Sequence, residues 1–273
     1  MKRLASVSLA VACSVALTAP VWMGTTAAAA PTVKTPATYA EMDPGGIGGV
    51  WIGADYNVRR NGQLTQPEGD EPRGLRDADG KPVEALPWAM AIQKQRMQDA
   101  KDGHPFANTK SRCLPAGLPG SMKPPHTLPI QIIFSPGQVT ILLEEFNIFR
   151  IIHIDGRAHP PADELDPTFF GHSIGHWEGK TLVVDSVGIN TETTFDTLPH
   201  SEDMHVVERY TRTGDRLDIM ITIEDPKTFP KPWVQRSSFA SVPGVGIREY
   251  FCEGDRNKPD ETGRTGVQLM TGN

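Results

Sequence analysis

The sequence predicts a mainly β protein, an antiparallel up-and-down β-barrel with one N-terminal helix at about residues 87–102. Short β-branched runs recur from residue 130 onward, tight turns separate them, and only one segment has a clear helical pattern. Consecutive hairpins of this kind favour a closed barrel, because closure removes both unpaired edges of a sheet. A two-sheet β-sandwich is the alternative.

Length and composition limit the class of protein. The chain has 273 residues, of which 38% are hydrophobic and 22% charged, as expected of a globular protein with a substantial core. The 27 lysine and arginine residues are outnumbered by 33 acidic residues, so the formal net charge is −6. Nucleic-acid binding requires a basic surface, and we therefore expect no nucleic-acid partner.

Residues 1–30 have the three-part pattern of a secretory signal peptide. Lys2 and Arg3 precede an apolar stretch at 4–17, and four alanines at 27–30 end the segment. Cys13 raises the alternative of a lipoprotein signal, but Ala10 stands where that signal usually has a larger aliphatic residue. We expect a periplasmic or secreted protein with no membrane association after signal cleavage.

Changes in composition predict the domain organisation. Residues 31–46 are rich in proline, threonine and alanine, which is typical of a flexible leader. Residues 47–252 contain all predicted strands and are expected to form a single barrel domain. The polar residues 253–273 are expected to be a loose C-terminal tail.

The elements are predicted in order along this domain. A first strand at 49–52 and a long loop at 57–82 precede the helix, whose first turn begins at Pro87. The helix is expected to pack on, or plug, a larger element through one stripe, formed by Trp88, Ala91, Ile92 and Gln95. The nine remaining predicted strands are 130–134, 139–144, 148–154, 172–177, 181–187, 206–212, 216–224, 233–240 and 247–252.

Two cysteines remain after the predicted cleavage. An even pair in an oxidising compartment predicts a disulfide between Cys113 and Cys252, with two unpaired core thiols as the alternative.

The main functional signal is a concentration of histidines. Six of the eight lie between His153 and His205. In an extended backbone the first group, His153, Asp155, Arg157 and His159, would share one face, and Gly156 and Pro160 could instead bend the chain. Either geometry predicts a polar rim at the end of the barrel.

Two further groups follow. His172, His176 and Glu178 are in phase on one predicted strand, and Trp177 faces the other way. His200 lies in a loop, and His205 and Glu208 on the next strand point to opposite faces. A neutral imidazole opposite a carboxylate can act as a general base, so these groups are candidates for acid–base chemistry if they converge at one barrel mouth.

Other chemistries fit less well. His172 and His176 have the spacing of two metal ligands on a helix, but on a strand they would lie about 13 Å apart. Histidines from adjacent strands could still converge on a metal. Ser173 matches the Gly-x-Ser-x-Gly nucleophile elbow, but a hairpin follows it instead of the helix that the elbow requires.

Four stretches resemble motifs of a family of secreted bacterial β-rich proteins: 155–160, 177–185, 200–209, and Asp225-Pro226 ahead of Pro232-Trp233. The resemblance covers about residues 46–252 and implies no particular activity, ligand or cofactor. Members commonly carry arginine where this chain has His176, which ranks His176 below the other histidines as a catalyst. Separately, Gly49-Val50-Trp51 is similar to the Gly-x-Trp signature of lipocalins, which implies a lipocalin-like barrel with an arginine, Arg248, packed on Trp51.

We therefore expect an exported enzyme that uses histidine and aspartate for proton transfer on a small, partly apolar substrate in the barrel cavity, as a lyase, isomerase or hydrolase without organic cofactor. The candidate general bases are His159 and His172, with Asp155 orienting the base and Arg157 stabilising an oxyanion. The supporting catalytic and ligand-binding candidates are His205, His200, His153, His176, Trp177 and Glu208. The alternatives are a non-catalytic carrier of a small ligand and a metal-binding protein.

Overall fold

The structure, a computed structural model, describes residues 38–54, 57–58, 64–65, 75–104, 106–123, 128–195 and 197–252. All belong to the unit Pro31–Asn273, one of two into which the chain divides. The predicted signal peptide, the start of the leader and the predicted tail lie outside the described residues.

Nine strands form a closed barrel, which confirms the barrel and not the sandwich. They are β1 (Gly49–Gly53), β4 (Ile130–Ser135), β5 (Gln138–Leu143), β6 (Ile148–His153), β7 (His172–Glu178), β8 (Thr181–Val187), β9 (His205–Thr213), β10 (Arg216–Glu224) and β11 (Trp233–Ala240). Their order around the barrel is β1, β11, β10, β9, β8, β7, β6, β5, β4 and back to β1. Two short strands, β2 (Asn57–Val58) and β3 (Leu64–Thr65), form a separate sheet.

Alternating polarity explains why these segments form barrel strands. In β10, Leu217, Ile219, Ile221 and Ile223 are fully buried and alternate with side chains that face outward. The β9–β10 hairpin turns at Gly214, which has a positive φ of 60° that glycine adopts without strain. Inward side chains of this kind fill the barrel interior, which also holds the charged residues Arg150 and Glu208.

One strand pair differs from the predicted antiparallel pattern. β6 and β7 run parallel, with Ile152 opposite Ser173 and His153 opposite Ile174, whereas every other neighbouring pair in the barrel is antiparallel. A parallel pair cannot be joined by a tight turn, because the chain must return to the starting end. Residues 154–171, here called the crossover, make that return.

Trp51 closes one end of the barrel together with an arginine. Its ring is buried, its Nε1 donates to the carbonyl of Ile47 (2.8 Å), and the guanidinium of Arg212 lies 5.3 Å from the ring centre. The prediction of Arg248 for this place is wrong. Arg248 instead donates its backbone N–H to Glu144, since its segment lies outside the barrel.

Part of the predicted leader is structured. Residues Tyr39–Met42 form the short helix α1, and Tyr39 packs edge-on against Phe134 at 6.2 Å. Asp43 accepts hydrogen bonds from the backbone N–H groups of Ile47 and Gly48, which holds the turn into β1. The leader therefore contributes to the covered end of the barrel.

The helix α2 (Pro87–Lys101) has the predicted extent but not the predicted buried stripe. Ala89 is its only buried residue, and Trp88 and Ile92 are exposed. The helix is attached through polar contacts: Trp88 Nε1 donates to the carbonyl of Lys227 (2.7 Å), and Arg96 donates to that of Thr197 (2.9 Å). A further short helix, α3, spans Gly117–Gly120. Among the described residues, no helix has the length and apolar character needed to cross a bilayer.

The predicted disulfide is present. Cys113 and Cys252 are bonded, 139 positions apart in sequence. The strand predicted at 247–252 does not form, because β1 already pairs with β11 and closes the sheet. Instead, Tyr250 lies beside β6, where its backbone exchanges hydrogen bonds with the side chain of Asn147.

Candidate functional site

A cluster of histidines and carboxylates lies on the outer wall of the barrel, where the ends of five consecutive strands meet. Each of these side chains stands next in sequence to a buried residue that faces the interior, so strand alternation directs it outward. The strand residues of the cluster are His153 (β6), His172 (β7), Asp185 (β8), His205 (β9) and Glu224 (β10). The site is therefore outside the barrel and not in the predicted cavity.

The crossover adds His159, which joins two of these strands. His159 Nε2 lies 3.2 Å from Asp185 Oδ1, and His159 Nδ1 lies 2.8 Å from His172 Nδ1. A carboxylate accepts only, so in its neutral form His159 carries its proton on Nε2, and its Nδ1 is an acceptor. His172 then donates from Nδ1, and its Nε2 carries the lone pair. This Nε2 has no hydrogen-bond partner within the described residues.

The surroundings of His172 favour its neutral form. Burial lowers the pKa of His172 first, and electrostatic repulsion from His159, His153 and Arg157 lowers it further, because a positive charge on a neighbour disfavours a second one on His172. His153, whose ring is stacked at 5.4 Å from that of His172, has its pKa lowered by burial and by Arg157. At neutral pH, His172 is therefore an unprotonated base with a free Nε2.

Asp185 serves two histidines. Its Oδ1 also accepts a hydrogen bond from His205 Nε2 at 2.8 Å, and His205 Nδ1 lies 3.5 Å from Glu224 Oε2. His205 thus lies between two carboxylates, opposite Glu224 in the strand register. One carboxylate oxygen links the crossover to β8 and β9.

Asp155 and Arg157 form a bidentate pair within the crossover. Arg157 donates from Nε and Nη2 to Asp155, with distances of 2.9 and 2.5 Å to Oδ2. Hydrogen bonding from Arg157 lowers the pKa of Asp155 to about 2, so the carboxylate stays charged. The sequence prediction gave Asp155 the task of orienting a histidine; in the structure Asp185 has that position, and Asp155 holds Arg157.

His200 is not part of the cluster. It is buried under the barrel edge, where its Nε2 lies 2.6 Å from Thr193 Oγ1 and its Nδ1 lies 2.8 Å from the carbonyl of Ser201. Burial lowers its pKa. With both nitrogens occupied, His200 has a structural position that differs from the predicted one.

The remaining predicted residues are also elsewhere. His176 is exposed beside Glu178, which is paired with Arg209 at 2.6 Å. Trp177 points away from His176, as predicted, and stacks on Phe134 at 5.8 Å, away from the cluster. Glu208 faces the interior, where its contacts do not involve the cluster.

Glu208 belongs to a buried polar network in the barrel core. Arg150, 1% exposed, donates from Nη2 to Glu208 at 2.5 Å, and the hydroxyl of Tyr210 donates to the same carboxylate at 2.9 Å. Arg150 also reaches Ser173 and Ser186 at 3.1 and 2.9 Å. Burial, followed by the charge of Glu208, raises the pKa of Tyr210, which keeps its hydroxyl protonated. Because Ser173 is buried and bonded to Arg150, it is not a nucleophile on an exposed elbow.

Sequence reasoning missed Asp185, Glu224 and Arg150. Glu224 ends β10 and Asp185 lies two residues before the end of β8, and only the pairing of strands shows that they meet His205. Arg150 had a visible signal, since it is in phase with Ile148 and Ile152 on the inward face of β6. Within the described part of the chain, no group of three histidine, cysteine or acidic residues is arranged to hold a metal ion.

Comparison with known proteins adds no relative, because no protein-family model, curated protein or solved structure matches the chain.

Proposed function

We propose that the protein is an exported enzyme that transfers protons on a small, partly apolar organic substrate, as a lyase, isomerase or hydrolase without organic cofactor. The observation that carries the proposal is the hydrogen-bonded chain Asp185–His159–His172, which ends at a free imidazole nitrogen. Chains of carboxylate and imidazole of this kind fix the tautomer of the base and stabilise the cation that forms when it takes a proton.

The chain gives each residue a role. His172 Nε2 takes a proton from the substrate, and the Nδ1 proton of His172 can then pass to His159 Nδ1. The resulting positive charge on His159 lies next to Asp185. The proton returns by the same route to another atom of the substrate or to the leaving group, so the enzyme is unchanged after each turnover.

Arg157 supplies the complementary charge. Asp155 holds its guanidinium on one side, and the side chain stays 44% exposed, so part of the fork can bind an anionic substrate group. An oxyanion that develops when His172 removes a proton would be stabilised there.

The wall beside the cluster is apolar, which supports a partly apolar substrate. Ile151, two positions before His153 on the same face of β6, is 36% exposed, and Phe149 of β6 and Ile133 of β4 are exposed as well. In the strand register, Thr140 pairs with both Ile133 and Ile151, so these two apolar residues flank it on the same face of three neighbouring strands.

The proposal is tested with matched histidine variants. Aromatic, terpenoid and sugar-derived compounds are screened for an increase in the melting temperature, and each stabilising compound is then incubated with the protein and followed by mass spectrometry. We expect the wild type to convert a compound and His172→Gln to lose about 10²- to 10⁴-fold in kcat. His176→Gln is the control, since His176 lies on the same strand outside the cluster, and it should retain full activity.

Two other outcomes would decide against the enzyme. Stabilisation by a compound that is recovered unchanged would indicate the carrier protein. Loss of stability on chelation, with a stoichiometric metal in the purified protein, would indicate the metal-binding protein.

Asp185→Asn tests the orienting role. The asparagine amide can donate as well as accept, so it no longer fixes the His159 tautomer. His172 can then carry its proton on Nε2, which would leave no lone pair there to accept a substrate proton. We expect kcat to fall by about 10²-fold or more, with a smaller change in KM. Equal kcat in the wild type and Asp185→Asn would show that the carboxylate has no part in the chemistry.

A further inference from the structure

We propose that Arg150, through Ser173 and Ser186, is a positioning residue that holds β6, β7 and β8 in the register on which the Asp185–His159–His172 chain depends. The effect of Arg150 on catalysis rests on the proposed function. The structural link between the buried network and the contact of His159 with His172 can be measured without a substrate.

The contacts of Arg150 span the strands that carry the site. Arg150 is on β6, and its guanidinium reaches Ser173 on β7 at 3.1 Å, Ser186 on β8 at 2.9 Å and Glu208 on β9 at 2.5 Å. The two serine hydroxyls are also 2.9 Å apart. One buried side chain thus joins four neighbouring strands.

The serines stand directly behind the reactive residues. Ser173 follows His172 on β7, and Ser186 follows Asp185 on β8. Because successive side chains of a strand point to opposite faces, a backbone held from inside by each serine also fixes the outward neighbour. A shift of the serine contacts would therefore move the nitrogen of His172 and the oxygen of Asp185 relative to His159.

The strand pair that needs this support has little backbone pairing. β6 and β7 pair through two residue pairs, whereas β7 and β8 pair through seven. A register slip by one residue would reverse every side chain between the faces. The hydrogen bonds from Arg150 to Ser173 add side-chain links across this short parallel seam.

Stability alone does not account for the buried ion pair. Replacing a buried ion pair with well-packed apolar residues is often neutral or stabilising, whereas polar groups of this kind can specify a register. The planar guanidinium has five donors in a fixed fork, so it can bind two serines and a carboxylate at once; an ammonium group lacks that geometry.

The test compares two variants with a control. Ser173→Ala/Ser186→Ala removes the links from Arg150 to β7 and β8 and leaves the Arg150–Glu208 pair. Arg150→Lys keeps the charge and removes the fork. The control, Glu178→Gln/Arg209→Gln, removes an ion pair between β7 and β9 on the outer wall that has no contact with Arg150.

Two measurements are made on each protein at neutral pH. Hydrogen exchange reports the protection of the seam amides of His153 and Ser173, with β10 as the internal reference. Histidine ¹⁵N spectra report the Nδ1 contact between His159 and His172. We expect both variants to lose about tenfold in seam protection relative to β10 and to lose the wild-type His172 tautomer signal, and the control to keep both.

Wild-type seam protection and His172 signals in a folded Arg150→Lys or serine variant would overturn the proposal. The same holds if the control changes them as much as the variants do, because the effect would then be general destabilisation. If the serine variant does not fold, Arg150→Lys decides alone. A protein without turnover would contradict the proposed function and leave these spectroscopic results standing.

Discussion

At the scale of single residues, Asp185 shows how one carboxylate oxygen can organise side chains from separate elements. It accepts from His159 of the crossover and His205 of β9, and through His159 it sets the tautomer of neutral His172. No two of these four residues are neighbours in sequence.

Arg150 allows a stability prediction at the same scale. Arg150→Met leaves the charge of Glu208 buried and unpaired, so we expect the free energy of unfolding to fall by about 3–5 kcal/mol. Arg150→Met/Glu208→Met removes both charges and should recover most of that loss, a non-additivity that urea unfolding of the four proteins in the cycle measures. Equal and additive losses would show that the two side chains do not act as a pair.

The sequence predicted which residue types form the candidate site but not which individual residues belong to it. The alternation pattern identified the face that His172 shares with His176, and the motif around His159 identified the segment 155–160 as polar. His200 and His172 look alike in sequence, yet one is buried against Thr193 and the other has a free nitrogen. Contacts between distant residues separate them, and alternation along a single strand contains no such information.

At the scale of elements, the crossover is attached by contacts that depend on pH. The pKa values of His172 and His153 are lowered, so the folded protein binds fewer protons than the unfolded chain just below the ordinary histidine pKa of about 6.5. Stability therefore rises with pH through this window and is lost as the pH falls below about 6.5. In addition, the contact between His159 and His172 needs one unprotonated Nδ1.

We expect acidification to release the crossover before the barrel unfolds. Hydrogen exchange of residues 154–171, corrected for intrinsic rates, should show less protection at pH 5 than at pH 7.5, while β10 stays protected. In His153→Gln/His172→Gln the pH dependence should be reduced. Equal protection of the wild-type crossover at both pH values would exclude this mechanism.

The strands were more predictable than the other elements. The ends of β8, β10 and β11 agree with the sequence prediction, because apolar alternation and glycine turns mark them locally. The prediction of a buried stripe on α2 was wrong, since Trp88 and Ile92 are exposed and polar contacts attach the helix. The segment 247–252 has β-branched and aromatic residues but no free sheet edge to join.

At the scale of the whole molecule, the disulfide constrains a large part of the chain. Cys113 and Cys252 enclose all strands from β4 to β11. In the chain-entropy account, closing a loop of 139 positions stabilises the folded state by about 5 kcal/mol. Cys113→Ser/Cys252→Ser should lose a comparable free energy of unfolding in urea, and reduction of the wild type should reproduce the loss. Unchanged stability would show that the loops are held by other contacts.

The number of strands has a consequence for where the site can be. Strand direction can alternate all the way around a closed barrel only if the number of strands is even. In a closed barrel of nine strands, at least one neighbouring pair must therefore be parallel. The protein places this mismatch between β6 and β7, and the long return that it requires delivers His159 and Arg157 to His172. A tenth barrel strand would relieve the mismatch and would also remove the need for the segment that completes the site.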